Sequence, residues 1–273
     1  MACRSLISRD GHYSKRRWAS TLSIHKYTIM KTKALSKFVL AAGFVVTTLL
    51  TGCTSLPKTD LAASNRQKLH TIAMLDVKEP RGESVVNFGG AAGAFGLIGG
   101  LVQAGVNANH TSTYTQRVAS EKIVFAPVVD DGLTARLSNA GYQIVALHGQ
   151  SVKLASDGKS DDFSDIKTDA DAILNVWITS FGYASPPDTS DFIPWVVIRA
   201  RLLDSKSRQD MYFKTFACGW DIKANSIHIE ADAKYRYGSF GTLTEQFDQS
   251  VTGLKDCEQA VVAAIGQDLA KPQ

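Results

Sequence analysis

Apolar and polar positions fall in blocks along the chain, and the period changes from block to block. HTIAMLDV, from His70 to Val77, is apolar at its centre and closes on charged residues and Pro80, which predicts a buried strand. After Pro127, Val128, Leu133 and Leu137 return at helical intervals, and Gly141 stands where a helix-ending glycine belongs. YQIVAL, from Tyr142 to Leu147, then predicts a strand. A polar stretch from Gly149 to Ser164 separates it from DADAILNVWITSFGYAS, a long strand beginning near Ala172. Two more strands come next, WVVIRARLLD and MYFKTFACGW, joined by SKSRQ. In the first, Trp195, Val197, Arg199, Arg201 and Leu203 alternate with Val196, Ile198, Ala200 and Leu202, the pattern of an antiparallel strand with one drier face. From about Thr242 to Ala270, the residues Leu243, Phe247, Val251, Leu254, Val261, Ile265 and Leu269 form a helical stripe expected to lie on the sheet. Gly253 and Gly266 fall off that stripe and read as positions that only soften the helix. The order predicts a single α/β domain: a mixed, largely antiparallel sheet with packed helices.

One segment breaks the pattern. From Ser84 to Gln116 there is no Asp, Glu, Lys or Arg in 33 residues, and NFGGAAGAFGLIGGLVQAGVNAN within it holds seven glycines. It reads as a Gly-rich apolar insertion, with three structures open to it. As a helix it places Gly89, Gly93, Gly96 and Gly100 on one face and Phe88, Phe95, Ile98 and Val102 on another, so that a second backbone can approach closely. Each glycine costs about 1 kcal/mol against Ala in an aqueous helix, so such a helix needs a partner or a bilayer. As a strand, Val102, Ala104, Val106 and Ala108 alternate with Gln103, Gly105 and Asn107, and a barrel strand needs only about 9–11 residues. The third reading is a glycine loop with no membrane role.

Composition acquires meaning only after the leader is set aside. From Met30, MKTKALSKFVLAAGFVVTTLLTGCTSL has a basic start at Lys31, Lys33 and Lys37, an apolar run from Phe38 to Leu50, and small residues before Cys53. This is the layout of a secretory signal, and the run falls short of the roughly 20 residues that a spanning helix needs. Leu50, Thr51, Gly52 and Cys53 match the bacterial lipobox position by position. The resemblance implies cleavage before Cys53 and acylation of that cysteine, and Thr54 after it favours the outer membrane. Two or three acyl chains, at about 0.8 kcal/mol per buried methylene, anchor a protein firmly. Residues 1–29 then precede a complete signal and read as an over-extended start. Residues 30–52 are the signal, 53–69 a lipidated tether, and 70–273 a periplasmic domain with its insertion at 84–116.

The whole chain has 30 Lys+Arg and 26 Asp+Glu, but nine of those bases and one acid precede Cys53. The chain from Cys53 onward carries 21 bases against 25 acids, a net charge of −4. That balance removes the argument for nucleic-acid binding from basicity. Cys218 and Cys257 remain after Cys53. In an oxidising compartment they suit a disulfide closing a loop of about 40 residues, which the chain-entropy picture values at about 3–4 kcal/mol; two separate buried thiols are the alternative.

Candidate chemistry is sparse. No GK[ST] comes after the glycines, so no phosphate-cradling loop is present, and no serine sits in GxSxG. His228, Glu230 and Asp232 alternate on one side of a strand and reach a metal only if that edge is not simply solvated. DGKSDDFSDIKTDADA lacks the glycine and final glutamate of a calcium loop. No catalytic residue, metal or cofactor is therefore expected beyond the lipid on Cys53.

The order of TIAMLDV, AGYQIVAL, DADAILNVWITSFGY and WVVIRARLLDSKSRQDMYFKTFACGW resembles the periplasmic lipoprotein fold of the curli secretion lipoprotein CsgG, the exopolysaccharide lipoprotein PelC and the amino-terminal domain of TolB. Asp171, Ala172, Ile173 and Leu174 match that group's aspartate before a strand, and Arg201 to Ser207 match its hairpin turn. The resemblance implies a noncatalytic envelope lipoprotein that assembles with itself or with another envelope protein. For CsgG it implies, as the alternative, an oligomeric export channel whose hairpins close a barrel. An enzyme with an unrecognised site is the third reading.

Overall fold

The sheet grows from a capped corner. The Asp171 carboxylate accepts hydrogen bonds from the backbone N–H of His70 at 2.8 Å and of Thr71 at 2.9 Å. In return Thr71 Oγ1 accepts from the N–H of Asp171 at 2.9 Å. The Thr71 N–H, opposed by modest burial and joined by the bond from His70, holds the Asp171 carboxyl below the usual carboxylate range. This exchange starts β1 (Thr71–Leu75) and β6 (Ala172–Ser180) side by side, parallel, with Ile72 opposite Ala172. The aspartate before the strand thus has a structural task.

The computed structural model describes residues 58–89, 96–157, 160–220 and 225–271, with backbone only at 96–99. In chain order, α1 (Ala63–Lys68) leads to β1, and β2 (Ser84–Asn87) leads to α2 (Gly96–Ser120) and α3 (Ala126–Asn139). Next come β3 (Gln143–Leu147) and the short pair β4 (Lys153–Leu154) and β5 (Asp161–Asp162). After β6 lie β7 (Gly182–Ser185), β8 (Ile193–Asp204), β9 (Asp210–Gly219) and β10 (Ile227–Ile229), then α4 (Phe240–Glu245) and α5 (Phe247–Leu269). The main sheet has the order β10-β9-β8-β6-β1-β3, with β7 beside β8 and β2 beside β7. It is antiparallel through β6, β8 and β9 and parallel where β1 meets β3 and β6, β2 meets β7, and β10 meets β9. Mixed α/β architecture is therefore what the chain adopts.

Three local features depart from the sequence pattern. The long strand expected from Ala172 is broken at Phe181, because Gly182 takes φ +135° and a side chain there would meet Ser84 O at 2.1 Å. That bend lets β2 pair with β7. The single C-terminal helix is divided at Gln246, whose φ −101° and ψ +42° end α4 before α5 starts. The glycines of α5 are contact points rather than soft spots. A Cβ at Gly253 would lie 2.7 Å from Tyr183 Oη and from the Tyr235 ring, and one at Gly266 would lie 3.0 Å from Arg136 on α3. Gly132 on α3 meets Val262 of α5 in the same way, at 2.9 Å.

Alternation in β6, β8 and β9 gives the sheet two unlike faces. Leu174, Val176, Ile198, Ala200, Leu202 and Phe216 join Leu254, Val261, Ile265 and Leu269 of α5 and Val129, Leu133 and Leu137 of α3 in the main core. The disulfide Cys218–Cys257 ties β9 to α5 within that core. On the opposite face, Ala73, Leu75, Ile173 and Leu203 are covered at one end by Phe163, Ile166 and Ala170 from the polar excursion. Trp177, Arg199 and Arg201 line an open groove beyond that cover, and Trp195 joins Phe88 and Trp220 at the far end.

Candidate contact surface at helix α2

The uncharged segment is β2, described residues to Gly89, and then the greater part of a helix. Val102 to Ala108, whose alternation suggested a strand, are helical. The helix is held by polar side chains. Thr115 Oγ1 donates to Glu83 O at 3.1 Å, Thr111 Oγ1 accepts from Val85 N–H at 3.0 Å, and Asn107 Oδ1 accepts from Asn87 N–H at 2.9 Å while its Nδ2 donates to Asn87 O at 3.1 Å. Every fourth residue of α2 therefore serves every second residue from Glu83 to Asn87, along β2 and the residue before it. The rungs satisfy the outer edge of β2, whose other edge pairs with β7, and a sheet edge left unpaired invites aggregation. Sequence reading by hydrophobic period passed over this ladder because its members, Asn107, Thr111 and Thr115, are polar.

Further along, α2 is docked on the C-terminal helices. Tyr114, fully buried, shares a 2.7 Å hydrogen bond with Ser250 Oγ of α5, and Ser250 O accepts from Tyr183 Oη at 2.9 Å. Arg117 donates to Thr244 O at 2.8 Å with its guanidinium 4.1 Å above the Phe247 ring. The His110 ring stacks on Phe240 with centroids 3.9 Å apart.

The N-terminal half is different. The ladder runs antiparallel to β2 and stops at Asn107, so residues 96–106 extend past the end of the strand by about 16 Å at 1.5 Å per residue. Along this part Leu101 is 69%, Val102 60% and Val106 41% exposed. A Cβ added at Gly100 or Gly105 would meet nothing within 4 Å. Beside the last rung, Phe88 is 44% exposed and packs on Trp220, with centroids 4.4 Å apart, and on Trp195 at 5.9 Å. This aromatic cluster was missed in the sequence because its members come from three separate segments. Gly89, by contrast, is buried in the fold: a side chain there would lie 3.0 Å from Pro186 O. Gly93 and Phe95 lie outside the described residues, as do the side chain of Ile98 and the lipobox residues Leu50, Thr51, Gly52 and Cys53. At Gly96 the helix begins. Among the described residues, no helix is long and apolar enough to cross a membrane.

His228 and Glu230 approach to 3.5 Å on an exposed edge, while Asp232 turns to accept from Lys234 N–H. No group of three or more His, Cys, Asp or Glu among the described residues is placed to hold a metal ion.

No family model matches the chain, and no curated protein does. Among solved structures, the PelC dodecamer from Paraburkholderia phytofirmans aligns over 80% of this chain and 97% of its own at 11% identity, with a TM-score of 0.34. Protein XCC0632 from Xanthomonas campestris covers 74% of this chain and 85% of its own, at 10% identity and a TM-score of 0.36. Lipoprotein GNA1162 from Neisseria meningitidis covers 67% and 98%, at 15% identity and a TM-score of 0.25.

Proposed function

We propose that this protein is a lipid-anchored, noncatalytic component of the bacterial outer membrane, facing the periplasm, that assembles with itself through the free half of α2. The observation that carries this reading is the row Leu101, Val102 and Val106, exposed on a helix whose other half is pinned to the domain. Glycines that leave open space beside them let a second helix approach closely. An exposed apolar row of this kind marks an interaction surface. Lipidation of Cys53 after a signal ending in Leu50, Thr51 and Gly52 supplies the anchor. Nucleic acid is not a partner.

A second use of the same end of the molecule has its own support. Thr59 pairs antiparallel with Phe213, so the chain reaches the domain along β9, the strand that ends beside Trp220. Cys53 is six residues earlier, a reach of at most about 20 Å. Aromatic rings such as those of the Phe88–Trp195–Trp220 cluster favour the membrane interface, at which an acylated Cys53 would hold the protein.

Light scattering of the acylated protein in mild detergent tests the main reading, beside a variant with Leu101→Asn, Val102→Asn and Val106→Asn. An oligomer that falls to a monomer in the variant is the expected result. A monomer in both samples overturns self-association. Quenching of Trp195 and Trp220 fluorescence by brominated lipid then tests whether this end rests on the bilayer.

A further inference from the structure

Between the aromatic cluster and the covered end of the sheet lies a groove of about 690 Å³, within the range of small-ligand sites. Two register rows across β6, β8 and β9 run beneath it: Asn175, Arg201 and Phe213 in one, Trp177 and Arg199 in the next, with Thr215 next in that row but outside the lining. The two arginines are in opposite states. Arg201 donates to Asp210 through Nε at 2.6 Å and Nη2 at 3.1 Å, and to Asp161 through Nη1 at 3.0 Å. Two carboxylates thus answer one guanidinium. Arg199, one step along the same face, has no ion pair among the described residues, and its Nε is buried without a hydrogen-bond partner. Thr215 Oγ1, directly across from it in a residue 2% exposed, is also unpartnered.

Two buried polar atoms left open in one row are unfavourable unless a polar ligand or water satisfies them. Lys78 and Arg81 line the same groove without an ion pair among the described residues. With Arg199 and Arg201 they make four cations against the carboxylates of Asp76, Asp161 and Asp210 in the same lining, an excess of one in a chain that is net −4 from Cys53 onward. Beside Arg199 stands Trp177, half-buried, its ring 5.8 Å from that of Phe213. Asn175 places a neutral amide in the same lining, whereas the Gln150 amide is tied to the Lys167 backbone, accepting from its N–H at 3.0 Å and donating to its carbonyl at 3.4 Å.

We propose that this groove binds an acidic saccharide, a pyranose bearing a carboxylate. The Arg199 fork pairs with the carboxylate, as guanidinium groups do in two parallel hydrogen bonds. The Trp177 indole offers a flat apolar surface to the C–H face of the ring, and the amide of Asn175 meets its hydroxyls. A phosphate or an acidic peptide uses the cations but leaves the indole plane and the neighbouring amide without a role.

Isothermal titration of the full-length protein in detergent micelles with tetragalacturonate tests this, beside neutral cellotetraose, tetraglutamate and inorganic pyrophosphate. Saturable binding of tetragalacturonate is expected, with each of the other three weaker by about tenfold or more, and with Arg199→Gln and Trp177→Ala each losing about tenfold. Absence of saturation at millimolar tetragalacturonate overturns the proposal. Equal binding by tetraglutamate or pyrophosphate also overturns it, since charge alone then suffices. So does unchanged affinity in an Arg199→Gln protein that keeps the parent thermal midpoint. Competition among the four ligands on the unsubstituted protein decides the matter even if the variants are unstable. The groove is separate from the α2 surface, so neither test depends on the other.

Discussion

Helices α2 and α5 are nearly equal in length, at 25 and 23 residues, yet they are built for different ends. α5 buries Phe247, Val251, Leu254, Val261, Ile265 and Leu269 against the sheet, and a disulfide at Cys257 fixes its middle. α2 buries Tyr114 and Val118, hangs by three polar rungs, and leaves Leu101, Val102 and Val106 in the open. An apolar stripe that is consumed by the fold identifies a structural element; an apolar row that the fold leaves over identifies a surface. The same residue types thus mean different things according to what lies opposite them.

Four experiments break or sharpen this contrast. The largest effect concerns Glu258, fully buried on α5 with neither carboxylate oxygen partnered. Burial, aided by the nearby Glu79 charge, pushes its carboxyl up to about 9 from an ordinary 4.5. Between those values the folded protein keeps a proton that the unfolded chain loses, so stability falls as pH rises, at up to about 1.4 kcal/mol per pH unit. The contribution is fully present below pH 4.5 and is lost by pH 9. The thermal midpoint of the parent should therefore drop between about pH 5 and pH 8. That of Glu258→Gln should stay nearly level and be the higher of the two at pH 8; a parallel decline in both proteins contradicts the assignment.

Next in size, Leu254→Ala opens a cavity in the main core and should cost about 2–5 kcal/mol in urea unfolding. A loss under about 1 kcal/mol would mean that α5 is not the element holding the sheet. Thr111→Val strips the hydroxyl that serves both backbone groups of Val85 and should cost about 1–3 kcal/mol. Amide exchange at Val85 reads it directly: the exchange should quicken there while the amides of α5 stay protected. Smallest of all, Leu101→Asn with Val102→Asn should change the unfolding free energy by less than about 0.5 kcal/mol, because nothing in the fold rests on them. A large destabilisation of the monomer would move the free half of α2 into the core and remove it as a surface.

Much of the fold was legible because its signal is apolar. The α5 stripe and the alternation from Trp195 to Leu203 state which face turns inward, and on α3 Leu133 and Leu137 do so too, whereas the expected Val128 is only half-buried and its neighbour Val129 takes the inward place. The lasting ambiguity lay between Ser84 and Gln116, where a helix, a strand pattern confined to Val102–Ala108 and a glycine loop were all open and where polar side chains decide the outcome. Glycine was equally opaque: Gly253 and Gly266 look like weaknesses until Tyr183, Tyr235 and Arg136 are seen against them. The groove was not read from the sequence: Arg199 and Arg201 entered only as members of an alternating strand, and nothing in the chain order says that Asp161 and Asp210 answer one and not the other.

The ladder between α2 and β2 has a limit written into its geometry. Four residues of helix advance about 6.0 Å, whereas two residues of strand advance about 6.4–6.8 Å. Each rung also swings about 40° around the helix, since four residues overshoot one turn of 3.6. Like two rulers of unequal gradation, the elements stay aligned for about three marks and then slip out of step. Thr115, Thr111 and Asn107 use up that allowance, and β2 ends at Asn87 where it runs out. The projecting half of α2 is the outcome of that arithmetic: a helix that has outrun its strand keeps its backbone bonds but has no strand left to lean on.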